Sequence, residues 1–432
     1  MATTTRRAFL QQSATLAAGA AVASSARAAE NDKIVLGVIG PGGMGSNLLA
    51  SFASMGDVVV SHVCDVDARR MAAAAKRLRD KTGKDPKAVK DMRRIFDDKS
   101  VDAVVIATPD HWHAPATILA CDAGKHVYVE KPCSHNLREG RLMVEAARRN
   151  KRIVQVGMQS RSADYLAEGI ELLKSGAIGE VLVAKVWNSQ LRANIGHKQP
   201  SQPPEHLDYD LWVGPSPMVP YRSNMLPSSW RWFRNFGTGD MGNDGVHDLD
   251  LARWGLGVEV QPTRVAALGG KYFFDDDQEF PDTQTVAFEY DLGDGKKKQL
   301  IYEQRIWSPY FQQGAENGDA FYGTKGYMLL AKHAGWQLFG PRDKPLQKLD
   351  GRLDGTPHHR NFLECIRSGK QPNADVEIGH LSASLTHLGN IATQTGRTLT
   401  LDPRTERIIK DDQSDHMLRR QYRDHWAVPK NA

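Results

Sequence analysis

The feature that most narrows the folds open to this chain is a buried-strand pattern feeding directly into a glycine turn. Ile34-Val35-Leu36-Gly37-Val38-Ile39 is apolar throughout, which suits a parallel strand covered on both faces. It leads without a spacer into Gly40-Pro41-Gly42-Gly43-Met44-Gly45, the spacing G-x-G-x-x-G, and the residues beyond predict a helix over 45–55. Gly40 permits the tight reversal, Gly42 lets backbone N–H groups approach a pyrophosphate, and Gly45 allows the helix to pack closely. Gly43 and Met44 complete the phosphate-facing turn. A second apolar strand over 58–64 ends in Asp65, 20 residues after Gly45. A carboxylate there accepts hydrogen bonds from the ribose hydroxyls of NAD and repels the extra phosphate of NADP. NAD is therefore the expected cofactor, with NADP left possible by Arg69 and Arg70 close by.

The same alternation continues: a helix over 68–82, a strand over 101–107, a helix over 114–123, a strand over 126–129, a helix running through 149 and a strand over 153–156. Strands alternating with helices predict a doubly wound parallel sheet of Rossmann type, assigned to residues 29–156. Thr108-Pro109-Asp110 ends the third long strand, at the carboxyl edge where such sheets bind their ligands, so Thr108 and Pro109 join the candidate cofactor contacts. After residue 159 the alternation weakens. A helix over 165–175 and a strand over 180–188 precede a Pro-rich loop over 199–229, and β-rich runs over 283–290 and 299–306 flank the hairpin signal Gly293-Asp294-Gly295. Residues 157–432 are expected to form an α+β domain on a largely antiparallel, open-faced sheet. At 432 residues two folded units are the natural division.

The first 28 residues are of another kind. Thr5-Arg6-Arg7-Ala8-Phe9-Leu10 is a twin-arginine box, followed by an apolar alanine-rich run and Ala26-Arg27-Ala28, an A-x-A cleavage site. The apolar run is too short to span a bilayer, so the segment reads as a Tat-type signal peptide, with the Tat translocase as export partner and the periplasm as destination. Cleavage removes Arg6, Arg7 and Arg27 and no acid, which brings the net charge from +5 to +2. Such a balance gives no reason to expect nucleic acid. Cys64, Cys121, Cys133 and Cys365 have neither the number nor the spacing of a disulfide framework or a metal site and read as buried thiols.

Two further motifs carry chemistry. Val127-Tyr128-Val129-Glu130-Lys131-Pro132 places a lysine at a strand's carboxyl edge, where partial desolvation lowers its pKa toward the working range and lets it exchange a proton with a hydroxyl. Further on stands Gly239-Asp240-Met241-Gly242-Asn243-Asp244-Gly245-Val246-His247-Asp248-Leu249-Asp250-Leu251-Ala252-Arg253-Trp254. With the glycine turn upstream, the Glu-Lys-Pro tripeptide and this second segment resemble the Gfo/Idh/MocA family of oxidoreductases, in its exported branch. The resemblance implies Lys131 and His247 as the catalytic pair, Glu130 orienting Lys131, His113 in the cofactor set, and Arg161, Asn243 and Asp244 as substrate contacts. One departure matters: the position four before His247 is Asn243, not aspartate, and Asp244 lies about 100° around an ideal helix. That spacing counts against a carboxylate relay to His247.

The resemblance further implies a sugar or glycoside as substrate, tightly bound NAD re-oxidised in place, no metal, and a homodimer or homotetramer. Trp187, Arg192, Trp230 and Trp232 are added as candidate sugar contacts. His111, His113, His358, His359, His380 and His387 are not spaced for a metal site and read as core hydrogen-bonders. Two other readings stay open: a redox-neutral glycosidase that oxidises its substrate transiently, and a dinucleotide-binding sensor without turnover, against which Lys131 argues.

Overall fold

The computed structural model describes residues 33–432, so the signal-peptide assignment to residues 1–28 lies outside the described residues. Six strands, β1 (Ile34–Ile39), β2 (Val58–Cys64), β3 (Lys87–Val89), β4 (Ala103–Ile106), β5 (His126–Val129) and β6 (Val154–Val156), form a parallel sheet in the order β3-β2-β1-β4-β5-β6. The side-chain period of two explains why both faces must be covered. Along β4, Ala103 and Val105 pack with Leu48, Leu49 and Phe52 of the helix Gly43–Phe52, while Val104 and Ile106 pack with Ala120 and Met143 on the opposite side. The strand order reverses between β1 and β4, which opens a crevice at their carboxyl ends.

The second sheet has ten strands: β7 (Val181–Asn188), β8 (Arg264–Gly270), β9 (Thr283–Asp291), β10 (Lys297–Arg305), β11 (Asn317–Gly323), β12 (Tyr327–Ala331), β13 (Gly335–Phe339), β14 (Pro345–Leu349), β15 (Leu399–Asp402) and β16 (Arg407–Ile408). Their order is β14-β13-β12-β11-β7-β10-β9-β8-β15-β16, and only the β7–β10 pair runs parallel. In β9 and β10 every second residue is buried, as one covered face and one open face require. The covered face packs against the helices Asp164–Lys174, Val246–Leu256 and Val376–Thr395.

Two late segments return to the parallel sheet. The helix Thr356–Ser368 delivers Phe362 onto Phe52 and Tyr128, with ring centroids 6.4 and 5.8 Å away, and Ala427 joins the core on the other face. Phe362 is fully buried, so Phe362→Ala should cost about 3–5 kcal/mol of stability, read as a lowered denaturant midpoint at unchanged m-value.

Candidate active site

The crevice at the carboxyl ends of β1, β2, β4 and β5 is a cavity of about 620 Å³. Its floor is the glycine turn. Gly40 has φ +77°, and a side chain there would press within 2.8 Å of the Ala107 carbonyl oxygen. Gly42, Gly43 and Met44 line the cavity, while Gly45 lies beneath it, packed on Gly40. A Cβ on Gly42 would fall 2.3 Å from an Arg70 guanidinium nitrogen, so this arginine overhangs the turn at the N-terminus of the helix Gly43–Phe52.

Asp65 lines the cavity at the end of β2. Burial pushes its carboxyl up to about 6, against the N–H of Asp67, which donates to it at 2.9 Å, and the nearby charge of Arg70. Thr108, Pro109, His113, Glu130 and Lys131 complete the opposite rim, and the Thr108 hydroxyl is buried without a hydrogen-bond partner. A helix N-terminus free of side-chain caps, a turn closed to any Cβ, a ribose-facing carboxylate and an orphaned hydroxyl together fit a dinucleotide. Asp65→Ser should narrow discrimination between NAD and NADP by roughly ten- to hundred-fold, the worth of a hydrogen bond to a charged group, measured as the ratio of dissociation constants for the two cofactors.

The Pro-rich loop forms the outer wall. Leu207, Trp212, Tyr221 and Met225 within it make a small core with Phe236 beyond it, so the wall has its own packing. Backbone bonds tie it to the end of β2: Ala68 N–H donates to His206 O at 2.9 Å and Asp208 N–H to Val66 O at 3.0 Å, while Lys90 pairs with Asp208 at 2.8 Å. Trp230 and Arg231 line the cavity from this side.

Lys131 stands at the far end, its amine donating to the backbone oxygen of Asn243. That carbonyl belongs to the π-helical turn Met241–Gly245, ahead of the helix Val246–Leu256. The widened turn changes the geometry expected of an ideal helix. Asp244 interacts electrostatically with both His247 and Lys131, but no hydrogen bond or ion pair joins it to either among the described residues; such turns cluster at functional sites. Gly242 and Gly245 let the turn pack, since a Cβ on them would meet the Thr238 hydroxyl at 2.0 Å and the Tyr302 hydroxyl at 2.5 Å.

Charge is distributed unevenly here. Burial lowers the Lys131 pKa, against the pull of Glu130, Asp244 and Asp110. Burial, with Lys131 and Lys332 adding to it, holds His247 well below the ordinary histidine value, so the imidazole is neutral at neutral pH. Burial would raise Asp244, but the charges of Lys332, Lys131 and Arg192 keep it ionised, below the usual carboxylate range. Lys332 reaches in from the end of β12 to Asp244 at 3.3 Å and Asp248 at 3.2 Å. Asp240, fully buried, accepts from Asn188 at 2.9 Å, Arg192 at 3.0 Å and Asn243 at 3.1 Å, which orients the Asn243 amide. His247 is only partly covered and makes no hydrogen bond among the described residues; like Asp244 it stands behind the cavity wall, where Asn243 is the residue of this segment that lines the cavity.

Several expected contacts are placed otherwise. Arg161 gives both nitrogens to Asp250, at 2.7 and 3.0 Å, and does not line the cavity: a buried carboxylate holds it away from any substrate. Glu130 accepts from the backbone N–H of Lys131 at 3.3 Å and from Gln159 at 3.3 Å, so it fixes the corner and acts on the amine only through charge; burial pushes its carboxyl up to about 7. His113 faces the oxygens of Pro132 at 2.6 Å and Thr108 at 2.8 Å and buttresses the rim. Trp187 and Trp232 are packed in cores, and Arg192 is taken by Asp240. Lys332, Asp240 and Arg231 were not singled out from sequence: Arg231 stood between two tryptophans that were, and Lys332 sits in a turn with no pattern around it. All four cysteines are buried and free. Among the described residues no group of three or more His, Cys, Asp or Glu side chains is placed to hold a metal ion.

A parallel sheet with a dinucleotide crevice and a lysine amine at its far end, joined to a sheet domain whose helical segment accepts from that amine, defines a nicotinamide-dependent oxidoreductase. Sequence comparison agrees. The model of the oxidoreductase family's NAD-binding Rossmann fold matches residues 34–158, and that of its C-terminal alpha/beta domain matches residues 183–301 and 342–428. The chain belongs to the Gfo/Idh/MocA family. It is 26% identical over 386 residues to the myo-inositol 2-dehydrogenase of Thermotoga maritima, spanning 85% of this chain and 98% of that protein. A match to the levoglucosan dehydrogenase of Pseudarthrobacter phenanthrenivorans, 29% identical, spans 39% of this chain and 36% of the relative. Among solved structures, levoglucosan dehydrogenase in complex with NADH overlays with a TM-score of 0.66 at 19% identity, covering 85% of this chain and 99% of the other. The aldose-aldose oxidoreductase from Caulobacter crescentus complexed with glycerol gives 0.65 at 18%, covering 85% and 100%.

Proposed function

We propose that this protein is an exported oxidoreductase that oxidises a ring carbon of a sugar or glycoside to a ketosugar. The observation that carries the reading is the Lys131 amine at the end of the dinucleotide crevice, donating across the two domains to the Asn243 backbone oxygen in the helical segment that carries His247. When bound, NAD supplies the hydride acceptor. Lys131, with a lowered pKa, takes the proton of the hydroxyl on the reacting carbon. The neutral imidazole of His247 orients that hydroxyl or a neighbouring one, and ionised Asp244 stabilises positive charge that gathers on either base. Trp230 offers the apolar face on which a sugar ring stacks. The latch between the loop at 206–208 and the end of β2 closes over the ribose-binding corner, which supports a cofactor held through many turnovers.

The experiment is to incubate purified protein with sugars and aryl glycosides while following reduced-cofactor absorbance, ketosugar mass and released aglycone. Cofactor reduction with a ketosugar is the expected result. Aglycone without net reduction would replace the reading with redox-neutral glycoside cleavage, and neither, with cofactor bound, would make the protein a sensor.

Export rests on the twin-arginine box and the A-x-A site. Periplasmic protein should begin at Ala29 by mass, and replacing Arg6 and Arg7 with lysines should leave the precursor uncleaved in the cytoplasm. Assembly into a dimer or tetramer is supported by the open sheet face, where Leu182, Leu268 and Tyr322 are exposed.

A further inference from the structure

Among the described residues, two arginines line the cavity, and Arg231, unlike Arg70, has no partner. Its Nε is buried and unsatisfied, and its guanidinium makes no hydrogen bond or ion pair among the described residues; its sole ring contact is the neighbouring Trp230, 5.4 Å from the centroid. The acids it feels, Asp110, Asp240 and Asp244, are each engaged elsewhere. Asp110 accepts from the Thr238 hydroxyl at 2.7 Å, Asp240 holds Arg192 and two amides, and Asp244 holds Lys332 and Asn317. A half-buried cation whose Nε is enclosed without an acceptor is costly, and burial accordingly lowers its pKa. The cofactor's pyrophosphate does not answer that need, because Arg70 and the helix N-terminus already stand at the glycine turn. Arg231 instead lies by Lys131 and Asn243, where the reacting sugar belongs under the function proposed above.

We infer that the substrate is an anionic sugar whose carboxylate is held by Arg231. The planar fork of a guanidinium matches the two oxygens of a carboxylate, whereas a hydroxyl would leave most of its donors unused. Trp230 beside it supplies the stacking face, so one short turn, Ser229–Trp232, presents both halves of an acidic-sugar subsite. Lys131 is left free for the hydroxyl.

The test is a binding measurement on the cofactor-loaded protein, which does not depend on turnover. Calorimetry with glucuronate and galacturonate against glucose and galactose should show the acids binding ~100-fold or more tightly, the worth of a bidentate charged pair in a desolvated site. In Arg231→Gln that ratio should collapse toward unity with cofactor still bound, and in Arg231→Lys it should be intermediate. Equal binding of acid and neutral sugars by the wild type, a ratio that survives in Arg231→Gln, or loss of the cofactor from that variant would each overturn the assignment. Turnover in the same samples bears on the oxidoreductase reading separately: tight uronate binding without cofactor reduction would sink that reading and leave this one standing.

Discussion

Lys131→Met should lower kcat by ~10²–10⁴-fold while the cofactor stays bound, because it removes the amine that lines the reacting end of the crevice and touches none of the groups that face the dinucleotide phosphates. The wild-type pH profile gives the same residue a second signature. A lysine acting as base must be neutral, so activity rises as pH climbs through its folded-state pKa and is lost below it. Burial lowers that pKa from the ordinary value of about 10.4, so the limb falls on the acid side of where a free lysine would put it. In Glu130→Gln an anion that favours the charged amine is gone, and the limb moves to still lower pH. A Lys131→Met enzyme that kept the wild-type rate, or kept the limb, would remove Lys131 from the chemistry.

Gly45→Ala is expected to empty the crevice of cofactor. A Cβ there would stand 2.0 Å from the Gly40 oxygen and 3.0 Å from its carbonyl carbon, backbone atoms fixed by the left-handed turn at Gly40. Relief comes only by moving the helix Gly43–Phe52 off β1, which withdraws the N–H groups that face the pyrophosphate. Overpacking of this kind costs about 1–3 kcal/mol in stability, and cofactor counted by mass after denaturation should fall from near one per chain to a small fraction. Gly56→Ala is the control, since a Cβ at Gly56 meets nothing within 4 Å.

The parallel half of the fold was legible because its strands carry their burial in their letters. β1, β2, β4 and β5 are near-continuous apolar runs, and only β3, Lys87-Ala88-Val89, escaped notice, since an edge strand largely open to water has no apolar signature. The second sheet was legible in kind, from the hairpin at Gly293 and Gly295, but not in extent. β12 and β13 are five residues long, and β14 begins with Pro345 and lies almost wholly exposed, so none rises above its surroundings as a strand. Lys131 and His247 could be picked out because each stands in a local motif. The surroundings of Asp244 could not, because Lys332 and Asn317, which bind it, lie 88 and 73 residues away, and Met241–Gly245 takes a π-helical turn. Arg161 misled for the same reason: its partner Asp250 lies 89 residues away, a distance no local pattern spans. Lys332, likewise, meets Asp244 and Asp248 only through tertiary pairing of β11 and β12 with the helical segment.

One experiment bears most directly on the central claim, that hydride leaves a sugar carbon for NAD at the end of the crevice where Lys131 stands. Protein as purified, with its bound cofactor, is mixed under anaerobic single-turnover conditions with a sugar deuterated at its ring carbons, and the released nicotinamide is analysed by mass. Deuterium on the nicotinamide in wild type, absent in Lys131→Met, is the predicted result. A bound nicotinamide that acquires no deuterium from any sugar offered, acidic or neutral, would contradict it.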